Sequence, residues 1–191
     1  MFDILMVVSE AVPYSKTGGL GDVGGALPSA LSRLGHRVTV VTPRYRGIHE
    51  GRIVASFGRG AWLGAPEFRV LESVHDDGVR FWFVDCPAYY DREGLYADAR
   101  GDFPDNHLRF ALLSRAALEC AAYTGMQPSV VHAHDWQAGL VPAYVRERFR
   151  NHPAFAGAGT VFTIHNLAYQ GIFGREVLPH LDLPWDVFTA E

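Results

Sequence analysis

The sequence predicts an α/β fold: a Rossmann-like parallel sheet with helices on both faces and an antiparallel insertion. Three observations carry this. Short apolar or β-branched runs alternate with segments of helical period at both ends of the chain. The first two runs are joined by a crossover long enough for a helix, which makes them parallel neighbours. The middle of the chain shows a hairpin signal instead.

Residues 4–8 form a dense apolar run ended by Ser9-Glu10 and then Pro13, which reads as a buried strand. A Gly-rich loop follows. Residues 20–34 place Val23, Leu27, Ala30, Leu31 and Leu34 at helical spacing, with Gly35 where a helix-ending glycine is expected. Residues 37–42 are a second strand, stopped by Pro43. In the stretch 51–85, two strand-like runs at 68–74 and 79–84 flank Asp76-Asp77-Gly78, a turn that makes them an antiparallel hairpin. Residues 105–123 read as an amphipathic helix closed by Gly125. A strand at 129–132, a helix at 136–149 despite Pro142, and a buried strand at 160–164 complete the pattern. Residues 184–191 end without a closing element, which suggests a domain that continues.

Composition narrows the function classes. Of 191 residues, 48% are hydrophobic and 20% charged, which is globular rather than disordered. A net charge of −4 gives no general reason to bind nucleic acid or an anionic membrane. Cys86 and Cys120 lie far apart and read as buried thiols rather than a disulfide or metal pair. The N-terminus has no basic region and too short an apolar run for a signal peptide, and no later run spans a bilayer, so a cytoplasmic protein is expected.

Three polar loops follow predicted strands: residues 16–22 (Lys-Thr-Gly-Gly-Leu-Gly-Asp), residues 132–136 (His-Ala-His-Asp-Trp) and residues 163–166 (Thr-Ile-His-Asn). In an open parallel sheet such loops share the carboxyl edge, where ligands bind. In the first, Gly18, Gly19 and Gly21 allow close backbone approach and present N–H groups at a helix start, with Lys16 adding a mobile positive charge. The run Gly19-Leu20-Gly21-Asp22-Val23-Gly24 also satisfies a dinucleotide fingerprint. About ten residues separate it from the first strand, however, and Thr42-Pro43-Arg44 stands where a ribose-binding acid belongs, so a nicotinamide enzyme is rejected. His132 and His134 share a strand face, but no further cluster completes a metal shell. Asp135 suits an N-cap for the following helix and also faces the ligand edge. His165, with Asn166 beside it, is placed to hydrogen-bond a hydroxylated ligand. Tyr14, Trp136 and Tyr169 are candidate sugar-stacking rings or core residues.

At these loops the chain resembles bacterial glycogen synthases and plant starch synthases. The matching stretches run in order. They are Ser9-Glu10, residues 16–23, Gly25-Ala26-Leu27-Pro28, Gly35-His36-x-Val38, Tyr90-Asp91-Arg92, Asp105-Asn106-x-x-Arg109-Phe110, residues 132–136 and residues 163–171. The resemblance implies the N-terminal lobe of a two-lobed GT-B glycosyltransferase. That enzyme moves glucose from ADP-glucose to the non-reducing 4-hydroxyl of an α-1,4-glucan, retaining configuration with no metal or cofactor. It further implies Lys16 as a donor-binding lysine, Asp135 as the acid lining the reaction centre and His165 as a contact to the glucosyl group. Thr17, Gly18, Gly19, Asp22, Asn166 and Tyr96 complete the expected substrate-binding set. Residues 1–191 are expected to be one truncated lobe, the second lobe absent, and without useful activity alone. Two readings stay open: a glucan or sugar-nucleotide binding module, and a related transferase that uses UDP-glucose.

Overall fold

The computed structural model describes residues 1–60 and 64–187. In chain order it contains β1 (Asp3–Val7), α1 (Gly19–Arg33), β2 (Arg37–Pro43), β3 (Arg52–Phe57), β4 (Phe68–Val74), β5 (Arg80–Asp85), the single turn α2 (Pro87–Tyr90), β6 (Ala97–Asp98), β7 (Gly101–Asp102), α3 (Asn106–Tyr123), β8 (Val130–His134), α4 (Leu140–Glu147) and β9 (Gly159–Thr163). Seven strands form one sheet in the order β3-β4-β5-β2-β1-β8-β9, and β6-β7 is a separate small ladder.

β1 is the centre of the fold. It pairs in parallel with β2 (Met6 beside Val40) and with β8 (Met6 beside His132). Leu5, Met6 and Val7 are fully buried in succession, so both faces of the strand are covered, as the apolar run demands. Each such side chain contributes roughly 1.5–3 kcal/mol on burial. The chain grows outward from β1 through β2 and β5, then returns through α3 to lay β8 on the other side of β1. That reversal is a topological switch point, and it opens a crevice at the carboxyl ends of β1 and β8.

The antiparallel insertion is continuous with the main sheet. β4 and β5 form the hairpin that Asp76-Asp77-Gly78 predicts, with Gly78 at φ +81° in the turn, and β5 then runs parallel to β2. β3 extends it outward with a register shift between Ile53 and Ala55.

Four expectations change. α3 is not an amphipathic surface helix but is buried over most of its circumference, because it packs on β1, β2 and β5 while α4 and a 3-10 segment at Arg175–Leu181 cover its outer side. The helix expected at 136–149 is a 3-10 turn at Trp136–Ala138 followed by α4, divided at Gly139. β9 is not buried. It is the sheet's last strand among the described residues, and Val161 and Phe162 are each 44% exposed. The unclosed end expected at 184–191 contains a 3-10 turn at Trp185–Val187, while 188–191 lie outside the described residues. The two cysteines are free and buried, as read from the sequence. Among the described residues no helix is long and apolar enough to cross a membrane.

Candidate functional site

The three loops meet. A cavity of about 480 Å³ at the carboxyl edge of β1, β8 and β9 is lined by Thr17, Gly18 and Gly19 from the first, Asp135 and Trp136 from the second, and His165 and Asn166 from the third. Tyr96 and Tyr169 add aromatic walls. Seven of the nine candidate site residues therefore share one space. Lys16 and Asp22 stand beside it rather than in its lining, joined by an ion pair of 2.7 Å with both side chains about half exposed. An exposed pair of this kind contributes only about 0–1 kcal/mol, so the Lys16 ammonium is readily exchanged to a stronger anion.

The glycines of the first loop divide into two groups. A Cβ on Gly24 would meet the Glu10 carbonyl oxygen at 2.2 Å, and one on Gly25 would meet Val12 Cγ2 at 2.4 Å. These residues let α1 press against the segment that follows β1. By contrast, a Cβ on Gly18 or Gly19 would meet no atom of the described residues within 4 Å, and Gly18, with φ −149°, needs no glycine for its backbone. Packing does not account for them. The space they leave keeps the N-terminus of α1 open to the cavity.

Glu10 was missed as a site residue in the sequence, where it reads as a strand terminator. It is 3% exposed and sits at the cavity wall. Its carboxyl group accepts the Thr17 N–H, the Thr17 hydroxyl at 2.7 Å, the Gly18 N–H at 3.3 Å and the Tyr96 hydroxyl at 2.6 Å. Because the single Tyr96 proton goes to Glu10, the Ser9 hydroxyl is the donor in its 2.7 Å bond to Tyr96. Burial pushes the Tyr96 phenol far above its ordinary value, so it stays protonated as that donor. Two of the N–H groups expected to face a ligand are thus already bonded inside the protein.

Tyr96 is held in turn by the motif around Arg109. That guanidinium is fully buried and donates to the carbonyls of Tyr89 (2.7 Å) and Leu95 (2.9 Å) and to Asn106 Oδ1 (2.6 Å). Asn106 donates to the Tyr96 carbonyl at 2.9 Å, and Arg92 grips both oxygens of Asp105. The residues of these matching stretches therefore act on the site indirectly, by fixing the loop that carries Tyr96.

Asp135 does not cap the helix after it. It adopts φ +54° and its side chain makes no capping bond. Instead Oδ1 accepts the backbone N–H of His165 at 2.6 Å and, at 3.4 Å, that of Asn166. The Asp135 N–H donates to the Thr163 carbonyl at 2.9 Å. A non-glycine residue held at positive φ stores roughly 1–3 kcal/mol of strain, and the crossed bonds to the β9 loop hold it there. The side chain is aimed at the cavity as a result.

Three histidines back this wall. His132 bonds Thr163 Oγ1 at 2.8 Å, and its ring lies 4.0 Å from that of His134. His134 is fully buried, with Nδ1 2.9 Å from His165 Nε2. Burial, with His132 and His165 nearby, pushes the His134 pKa down to about 3, and His132 also falls. Among the described residues no group of three metal-ligating side chains is placed to hold an ion. Of the candidate aromatic rings, Trp136 and Tyr169 meet edge-on at 5.6 Å in the cavity wall, whereas Tyr14 packs on Phe81 and Phe83.

A sequence model of the starch synthase catalytic domain matches residues 3–191. The glycogen synthase of Koribacter versatilis (strain Ellin345) is 47% identical over 97% of this chain and 39% of its own length. That of Myxococcus xanthus (strain DK1622) is 46% identical over 98% of this chain and 40% of its own. The chain thus spans about two fifths of the curated relatives it matches. The catalytic domain of starch synthase IV from Arabidopsis thaliana, solved with ADP and acarbose bound, superposes with a TM-score of 0.81 at 26% identity, over 97% of this chain and 38% of that one. The chain belongs to the starch synthase catalytic domain family.

Proposed function

We propose that this chain forms the first lobe of a retaining glucosyltransferase, which moves glucose from ADP-glucose to the non-reducing 4-hydroxyl of an α-1,4-glucan. The observation that carries the reading is the convergence of the open Gly18-Gly19 backbone, Asp135 and His165 on one cavity. It is supported by relatives named glycogen synthase and by a structural neighbour solved with ADP and acarbose bound.

The chemistry follows from where charge develops. As the donor's glucosyl–phosphate bond breaks, negative charge builds on the departing diphosphate and positive charge on the sugar. The start of α1 offers N–H groups and the helix dipole to the diphosphate. Lys16 exchanges Asp22 for a phosphate oxygen. The Asp135 carboxyl, tied through Oδ1 to the His165 and Asn166 N–H groups, keeps its other oxygen for the sugar side. Trp136 and Tyr169 supply apolar faces against the ring. A second lobe, carried by the part of the relatives' length this chain does not span, supplies the remaining donor contacts.

Calorimetry with ADP-glucose, UDP-glucose and a maltooligosaccharide tests this. A half-site is expected to bind ADP-glucose with a dissociation constant on the order of 1 mM, and the 191 residues alone to elongate no glucan. Elongation by this chain alone contradicts the two-lobe reading. Binding of maltooligosaccharide without any nucleotide sugar favours a glucan-binding module instead.

A further inference from the structure

Asp135 and the histidine wall assign a state to His165 that the family resemblance does not specify. Two contacts clamp this residue: its backbone N–H donates to Asp135 Oδ1 at 2.6 Å, and its ring Nε2 lies 2.9 Å from His134 Nδ1. The two rings are nearly parallel, 8° apart. Nδ1 of His165 is the ring nitrogen left without a protein partner among the described residues, and His165 lines the cavity.

A hydrogen bond between two neutral imidazoles contains one proton, which allows two arrangements. In one, His165 carries its proton on Nε2 and donates to His134, whose own proton then sits on its Nε2. That nitrogen is buried and has no partner among the described residues, so an N–H would be orphaned there. In the other, His134 donates from Nδ1, and its buried Nε2 holds only a lone pair. Orphaned buried N–H groups are the rarer and costlier outcome. A further proton on His134 is opposed by its burial and by the His132 ring 4.0 Å away.

We propose that His134 is a positioning residue that locks His165 in its Nδ1–H tautomer, so that the cavity receives a neutral N–H donor rather than an acceptor. Resting on the glucosyl-transfer reading, this makes the oxygen His165 contacts an acceptor: a sugar hydroxyl oxygen or a phosphate oxygen of the donor. His165 does not serve as a base at that atom, because Nδ1 already holds its proton.

Long-range proton–nitrogen correlation spectra of the imidazoles, recorded on ¹⁵N-histidine-labelled chain at neutral pH, read the tautomers directly. The expected result is Nδ1–H on both His134 and His165. Nε2–H on both rings overturns the proposal. In His134→Asn the side-chain amide nitrogen replaces Nδ1 as donor, and His165 is expected to remain Nδ1–H. In His134→Leu the donor is gone, and His165 is expected to revert toward Nε2–H, with ADP-glucose binding weakened by up to about tenfold. An unchanged His165 tautomer in the leucine variant overturns the positioning role. If that variant does not fold, the wild-type and asparagine spectra decide. The expected tautomers together with no response of His165 to ADP-glucose leave the lock standing and contradict the functional assignment of the cavity instead.

Discussion

The hydroxyl of Thr17 donates to Glu10 Oε1 at 2.7 Å, joining the glycine loop to the end of β1. With the Thr17 and Gly18 N–H groups also on this carboxyl, the loop is ordered before any ligand arrives. Glu10→Gln replaces one acceptor oxygen by an NH₂ that faces donors. The expected cost is about 1–3 kcal/mol of stability, with faster amide exchange at Thr17 and Gly18. Unchanged protection of both amides contradicts this role.

Gly19 separates packing from binding. A Cβ there meets nothing within 4 Å, so Gly19→Ala is expected to leave the fold intact and to change stability by less than about 1 kcal/mol. ADP-glucose affinity is expected to fall at least about tenfold, because the methyl group occupies the approach to the helix N-terminus. Gly24→Ala, whose Cβ would sit 2.2 Å from the Glu10 carbonyl oxygen, is expected to damage the fold itself. Thermal melts and calorimetry on both variants distinguish the two effects, and equal behaviour of the pair argues against the division.

Arg109 tests whether the middle motifs act through the Tyr96 loop. Arg109→Met strands the Tyr89 and Leu95 carbonyls, and the expected destabilisation is on the order of 3 kcal/mol by urea unfolding. A loss below about 1 kcal/mol means that the guanidinium is not what holds the segment.

Much of this was legible in the sequence, and the failures share a cause. β1 is a dense apolar run, β2 a β-branched one, and Asp76-Asp77-Gly78 marks the hairpin, since these signals are local. β9 has the composition of a buried strand, yet burial depends on what lies beside it, and among the described residues it is the last strand of the sheet. β3 carries no clear alternation in sequence, and its pairing with β4 shifts register between Ile53 and Ala55. The cavity was anticipated from three strand ends. What was not readable were contacts between distant residues: Glu10 with Tyr96, 86 positions apart, and His134 with His165, 31 apart. Asp135 stands where a helix cap belongs in the sequence, but its bond to the loop after β9 prevails.

His134 makes stability depend on pH. Burial, with His132 and His165 close by, holds its folded pKa near 3, whereas the unfolded imidazole titrates at about 6.5. Above pH 6.5 neither state takes the proton and its contribution is flat. Between about 6.5 and 3 the unfolded state binds the proton, so stability falls by up to about 1.4 kcal/mol per unit, and His132 shifts in the same direction. Urea midpoints at pH 7 and pH 5 are expected to drop for the wild type and to drop less for His134→Asn. Identical slopes in both proteins contradict the assignment.

Mapping amide shifts in the ¹⁵N-labelled chain as ADP-glucose is added tests the central claim most directly. The account predicts that the largest changes fall at Gly18, Gly19 and Leu20, with further changes at Asp135, His165 and Asn166. A second cavity, lined by Arg44, Arg46 and His49, supplies the natural alternative for an anionic ligand. Changes concentrated there, with the glycine loop and His165 silent, contradict the account.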